Sequence, residues 1–203
     1  MRRFLILSAG LFISCATSGN GGYDPQATGC GPNNCAGCCA SGVCLAGTSN
    51  SQCGLGGTIC ATCNGADICN SSGQCALDLN SKWIVQPVAA AIDSSNNGSS
   101  WDGDGSPPDV IVTTTCPGGA AGVSEKVESY NPTFSFGSCV ATAGQLLSKG
   151  VTFSIQDSDL AVNDNITGYV TMAITTADLA LGSRGGTPTS GGCKSIQYTL
   201  TRK

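Results

Sequence analysis

Six aspartates stand in two tight groups, Asp102, Asp104 and Asp109 in one and Asp157, Asp159 and Asp164 in the other. Only Asp24 and Asp67 of the 13 acidic residues precede residue 76, so these six make up most of the negative charge that follows. Carboxylates at that density in short turns suit a hard cation. Calcium accepts about six to eight oxygens from flexible loops, and crowded carboxylates repel one another until an ion joins them. Asp, Asn and Gly also form solvated turns without any ligand, and density alone leaves both readings open. Catalysis has little to draw on. The 203-residue chain contains no histidine, which removes Ser-His-Asp, Cys-His and His-ligated zinc chemistry. It has no G-x-S-x-G elbow either, so a hydrolase would have to use the loop aspartates as acid and base. The chain is expected not to be an enzyme. Its net charge of −4 gains nothing from counterion release on a phosphate backbone, so nucleic acid is not an expected partner.

Cysteine supplies a second kind of chemistry. Ten of the 14 cysteines lie between Cys30 and Cys75. A shift of 25 residues lays Cys35, Cys38 and Cys44 over Cys60, Cys63 and Cys69, and each half opens on Cys-Gly, at Cys30 and Cys53. That is the mark of an internal duplication. Cys35-x2-Cys38 followed by Cys60-x2-Cys63 has the spacing of a zinc ribbon. Behind a secretory leader, the oxidising compartment favours five disulfides instead. The stretch holds few large apolar side chains beyond Val43, Leu45, Leu55, Ile59 and Ile68. Covalent staples must therefore offset a chain entropy of about 1 kcal/mol per residue. Ten cysteines allow on the order of nine hundred pairings, so their connectivity cannot be read from spacing.

The leader itself is Met1-Arg2-Arg3 followed by the apolar run Phe4 to Ile13. Positive charge and then a short apolar run is the layout of a secretory signal, here residues 1–14. It falls short of the about 20 apolar residues that cross a bilayer. Phe12-Ile13-Ser14-Cys15 resembles the bacterial lipobox, which implies that Cys15 is acylated and becomes the mature N-terminus. Ala16 behind it implies the outer membrane. The expected location is across the inner membrane, lipid-anchored at the outer membrane or cell surface, with residues 15–29 as a flexible tether.

Beyond the cysteine-rich module of residues 30–75, the composition turns to Val, Ile, Thr and Phe between Gly, Pro, Asn and Asp turns. Trp83–Ile92, Val110–Thr115, Thr133–Phe136, Val151–Ile155, Gly168–Thr175 and Ser195–Thr201 read as strands. Phe134/Phe136 and Val151/Phe153/Ile155 alternate, which puts one face in a core. Short strands separated by turn clusters predict an all-β, antiparallel β-sandwich over residues 76–203. Ala141–Lys149 and Thr176–Leu181 read as short helices or extended crossings. Cys116, Cys139 and Cys193 make one pair and one odd member, unassigned.

Three segments carry a resemblance. Trp101-Asp102-Gly-Asp104-Gly-Ser-Pro-Pro-Asp109 resembles the first calcium loop of a C2 domain, and Asn131-Pro132-Thr-Phe134-Ser-Phe136 resembles its NPxWxxxF signature. Phe153 to Asp157-Ser-Asp159, continued by Asp164-Asn165-Ile166-Thr-Gly168, resembles its third loop. The first loop differs slightly in length, Val110-Ile111 replaces the usual Tyr, and Asn165 stands where the family has Asp. The resemblance implies a C2-like sandwich in which both acidic loops meet at one end. It implies calcium as cofactor, held by Asp102, Asp104, Asp109, Asp157, Asp159 and Asp164. It further implies Leu160 and Val162 as apolar contacts with a membrane phospholipid or lipopolysaccharide surface. The expected function is a surface lipoprotein that binds calcium and, through it, a membrane or partner. The alternative is a metal-free structural or adhesive surface protein.

Overall fold

The computed structural model describes residues 29–159, 163–188 and 191–203. The leader, Cys15 and the tether up to residue 28 lie outside the described residues, as do Leu160 and Val162. The cysteine-rich module consists of short strands: β1 (Cys38–Ala40), β2 (Val43–Leu45), β3 (Thr48–Ser49), β4 (Gln52–Cys53), β5 (Thr58–Ile59), β6 (Asp67–Cys69) and β7 (Cys75–Leu77). They form a small sheet, β2-β1-β5, and the hairpins β3-β4 and β6-β7.

All ten cysteines of the module are in disulfides: Cys30–Cys39, Cys35–Cys44, Cys38–Cys60, Cys53–Cys69 and Cys63–Cys75. The sequence duplication is not a duplication of bonding. Cys44 pairs with Cys35, whereas its counterpart Cys69 pairs with Cys53, and Cys38–Cys60 ties one half to the other. Among the module's described apolar residues, Cys35, Cys38 and Cys53 are the buried ones, while Val43 is 58% and Ile59 88% exposed. The aliphatic side chains thus do not make a core. Disulfides, each contributing about 2–4 kcal/mol, take its place. The halves meet backbone on backbone at Gly47, whose φ is +74° and where a Cβ would lie 1.9 Å from the Gly54 carbonyl oxygen. No other residue fits there.

The sandwich follows as β8 (Lys82–Ile92), β9 (Asp109–Thr115), β10 (Gly122–Val123), β11 (Val127–Glu128), β12 (Cys139–Thr142), α1 (Ala143–Lys149), β13 (Val151–Asp157), β14 (Asp164–Met172), α2 (Thr176–Leu181), β15 (Ser183–Gly186) and β16 (Cys193–Arg202). One sheet has the order β12-β8-β16-β15. In the other, β10 and β11 flank β9 on one side, and β13 then β14 follow on the other. Every pairing is antiparallel. The all-β, antiparallel sandwich expected from the sequence is what the chain forms.

Alternation buries Trp83, Val85 and Ile92 from β8, Val110 and Val112 from β9, and Val151, Phe153 and Ile155 from β13. Each such side chain contributes roughly 1.5–3 kcal/mol by leaving water. The sheets meet face to face, with the rings of Phe153 and Tyr198 5.0 Å apart. The Cys116–Cys139 disulfide joins the end of β9 to β12 of the opposite sheet. Among the described residues Cys193 is the odd thiol, buried, with its pKa pushed up to about 11 by that burial.

Of the segments left open between helix and crossing, Thr176–Leu181 is a helix throughout and Ala141–Lys149 is one from Ala143, its first two residues ending β12, and their caps say why. Thr142 and Gln145 form a capping box at α1, and Thr175 and Asp178 form one at α2. Leu146 and Leu179 anchor the two helices in the core. Two strand expectations need correction. Thr133–Phe136 is not a strand, and only Thr133 bridges to Ala89. The Glu125 carboxylate accepts the amide N–H groups of Ser135 at 2.6 Å and Phe136 at 3.0 Å, which takes both out of any ladder. Phe134 is buried, but Phe136 is 66% exposed. The Gly168–Thr175 strand starts earlier, at Asp164, and stops at Met172, because Thr175 caps α2.

Candidate metal centre

Register decides which aspartates meet. β9 begins at Asp109 and β13 ends at Asp157, and antiparallel pairing sets Asp157 opposite Val110. β14 begins at Asp164, opposite Asp157. Three strands therefore turn into loops at the same rim. The Asp109 amide donates to Asp157 Oδ1 at 2.7 Å, and the Ser158 amide donates to the Asp109 carbonyl at 2.8 Å. The two acidic segments, far apart in sequence, are locked together at their junction with the strands.

The first loop is fixed at its start by Trp101. Its ring is buried against Gly192, and its indole N–H donates to the Asp93 carbonyl at 2.8 Å. A tight turn follows, in which the Gly105 amide donates to the Asp102 carbonyl at 3.0 Å and Gly105 itself has φ +85°. This swings Asp102 toward the end of β13. Asp102, Asp157 and Asp159 each place a carboxylate oxygen within 4.8 Å of the others.

The other aspartates have different company. Asp104 Oδ1 accepts the Ser106 amide at 3.0 Å and lies 2.7 Å from the Ser106 hydroxyl, which also reaches Asp102 Oδ2 at 3.2 Å. The Ser106 amide, and then its hydroxyl, hold the Asp104 carboxyl below its ordinary pKa. Asp109 Oδ2 accepts from Lys126 Nζ at 2.6 Å. Asp164 is exposed at the start of β14, and the neighbouring Asn165 accepts from the Gln156 side chain at 3.3 Å.

Asp157 is the anomalous member. It is fully buried. Oδ1 holds the Asp109 amide, but Oδ2 is buried with no hydrogen-bond partner among the described residues. Burial pushes its pKa up, the Asp109 amide pulls it down, and the charges of Asp102, Asp159 and Asp109 push it up again. A buried carboxylate oxygen left unpaired costs more than an ordinary hydrogen bond contributes. A cation at this point would supply the missing partner and neutralise the neighbours in one step.

Lys126 is the residue that sequence reading passed over, since it stands between Glu125 and Glu128 in an acidic stretch. Strand β11 pairs Val127 with Val110, and this brings Lys126 beside Asp109. The bond to Asp109 raises the Lys126 pKa, and the Asp102 and Asp157 charges add to the rise. No local pattern announces such a contact across strands.

No protein-family profile matches the chain, and no curated protein does. Among solved structures, the chain is similar to a C2 domain at 16% identity and TM-score 0.40, covering 60% of this chain and 98% of that one. It is likewise similar to a C2 domain of a plant extended synaptotagmin 1 at 10% identity and TM-score 0.42, covering 62% of this chain and 98% of the other.

Proposed function

We propose that the chain is a surface-binding module rather than an enzyme, and that its acidic rim takes up calcium to dock on a phosphate-bearing membrane surface. The observation that carries this reading is the buried, unpartnered Oδ2 of Asp157 beside the carboxylates of Asp102 and Asp159. Two carboxylates about 5 Å apart repel by roughly 3 kcal/mol at an effective dielectric near 20, and by less where Asp159 meets solvent. Calcium removes that cost. Its long, flexible oxygen shell suits loop carboxylates better than magnesium's strict octahedron. Three carboxylates leave part of such a shell to water or to an incoming anion. Lipid phosphate suits that remainder in charge and hardness. Leu160 and Val162, between Asp159 and Asp164 in sequence, supply apolar contact in the same reading. Secretion is supported by the six disulfides among the described residues, since such bonds persist in oxidising compartments. Lipid anchoring through Cys15 belongs to the same proposal.

The test is thermal unfolding with and without calcium, followed by sedimentation with phosphatidylglycerol or phosphatidylcholine vesicles. A ligand at about a hundred times its Kd stabilises by about 2.7 kcal/mol, a rise of several degrees in Tm. Calcium-dependent sedimentation is expected with phosphatidylglycerol and not with phosphatidylcholine. An unchanged Tm at several millimolar calcium retires the metal reading. The remaining alternative is then the metal-free adhesive scaffold, which the Lys126–Asp109 ion pair favours because it already places one positive charge at the rim.

A further inference from the structure

We infer that Lys126 is an internal competitor of the metal ion, a side-chain cation that sets the calcium threshold of the rim by occupying Asp109. The inference rests on the calcium reading above, and it names a residue that no resemblance to known calcium loops supplied.

The geometry is direct. Lys126 Nζ lies 2.6 Å from Asp109 Oδ2. The Asp109 amide meanwhile holds Asp157 Oδ1 at 2.7 Å, so Asp109 touches the ammonium through its side chain and the buried carboxylate through its backbone. Asp157 in turn shares its oxygen cluster with Asp102 and Asp159. Asp109 is absent from that cluster, in keeping with its engagement by Lys126. The pair is anchored by β11, which is paired with β9 at Val127 and Glu128, so Lys126 has no route out of the rim's field short of swinging its side chain into solvent. Its side chain is 53% exposed, which makes that swing cheap.

An ion entering among Asp102, Asp157 and Asp159 meets the positive charge of Lys126 beside it. It also finds Asp109 already neutralised. Both effects weaken calcium. A unit charge about 6 Å from a divalent ion, at water-like screening, changes affinity by roughly tenfold. Removing the ammonium while keeping a polar side chain therefore tightens calcium binding. Keeping the charge leaves affinity where it was. Because the side chain is half exposed and its hydrogen bond goes to Asp109 at the rim rather than into the core, its replacement leaves the sandwich intact.

The experiment is calcium titration by isothermal calorimetry on the oxidised protein, on Lys126→Gln and on Lys126→Arg. The expected result is Lys126→Gln binding calcium about five- to tenfold tighter than the unaltered protein, with Lys126→Arg within about twofold of it. Binding that appears only in Lys126→Gln gives the same conclusion in stronger form. If calcium binds but Lys126→Gln is unchanged or weaker, the competitor role is overturned and the calcium reading stands. If both substitutions tighten binding alike, charge is not the cause and the inference is again overturned. Absence of binding in all three proteins overturns the calcium reading and this inference with it.

Discussion

Asp157, with one carboxylate oxygen satisfied and the other buried and alone, is one of three buried side chains among the described residues with an unpartnered polar atom, beside the hydroxyls of Thr114 and Tyr198, and it is the one in which that local conflict falls on a carboxylate. Such conflicts concentrate where a protein binds something. Asp157→Asn keeps an oxygen for the Asp109 amide and removes the charge. Without calcium at pH 7, the variant is expected to be more stable than the unaltered protein by on the order of 1 kcal/mol, and to lose the calcium-induced rise in Tm. The pH dependence has a definite sign. The Asp157 pKa is raised on folding, chiefly by burial, so the native state holds this proton more tightly than the unfolded chain. Its contribution is present below the ordinary aspartate value and is lost as pH rises through the higher native one. Asp104, Glu125 and Asp178 are shifted the other way. The difference between the two proteins, measured by denaturant unfolding in EGTA across the acidic range, therefore isolates the residue. An identical pH dependence in both proteins contradicts the assignment. The three clustered aspartates were all visible as candidates in sequence. That Asp104 turns to Ser106 and Asp109 to Lys126 was not, because those choices depend on a turn geometry and on a strand pairing.

At the level of elements, the segment around Thr133–Phe136 teaches most. Its alternating aromatics read as a strand, yet one carboxylate, Glu125, binds two successive amides and presents Phe136 to solvent. Burial works to raise the Glu125 pKa, but the Ser135 and Phe136 amides bring it below the ordinary value. Glu125→Ala removes both acceptors and is expected to destabilise the sandwich by about 1.5–3 kcal/mol, the usual range for hydrogen bonds to a charged group. Amide exchange at Ser135 and Phe136 should rise by at least about tenfold, with β13 unaffected. Unchanged exchange at those two amides would show that the loop is held by something else. Elsewhere the periodic signal was sufficient. β8, β9, β13 and β16 alternate enough that burial on one face dictates the strand, whereas the two helices stayed open in sequence and are settled by caps that the structure shows. The strands β10, β11, β12 and β15, two to four residues long, are too short for a readable period in sequence, and neighbours decide them.

Across the whole molecule, the cysteine-rich module and the acidic rim sit at opposite ends of the same strands. β16 leaves the rim at Cys193 and ends at Arg202, whose guanidinium donates to the Gly65 carbonyl of the module at 2.6 Å. β8 runs back from Lys82, beside the module, to Ile92, next to the loop that holds Trp101. Ala66 of the module and Leu77, where β7 runs on past it, pack on the sandwich core. Removing the Cys38–Cys60 disulfide with Cys38→Ser and Cys60→Ser is expected to cost the module about 2–4 kcal/mol. Hydrogen exchange should then accelerate in residues 36–60 while the rim strands and the calcium-induced shift persist. Faster exchange in β13 and β14 would mean that the two parts unfold as one.

Sequence alone determined what depends on composition and on near neighbours. Cysteine count and scarcity of apolar side chains called for a stapled module, alternation called for a sandwich, and clustered aspartates marked two loops as candidates. Tertiary structure decided which groups finally touch. The Asp109 amide meets Asp157 across 48 positions, Lys126 reaches Asp109 across 17, and Cys38 finds Cys60 across 22. Periodicity reports which face of an element is buried, but contacts between distant residues follow from strand order and register. Those are settled only when the whole core packs at once.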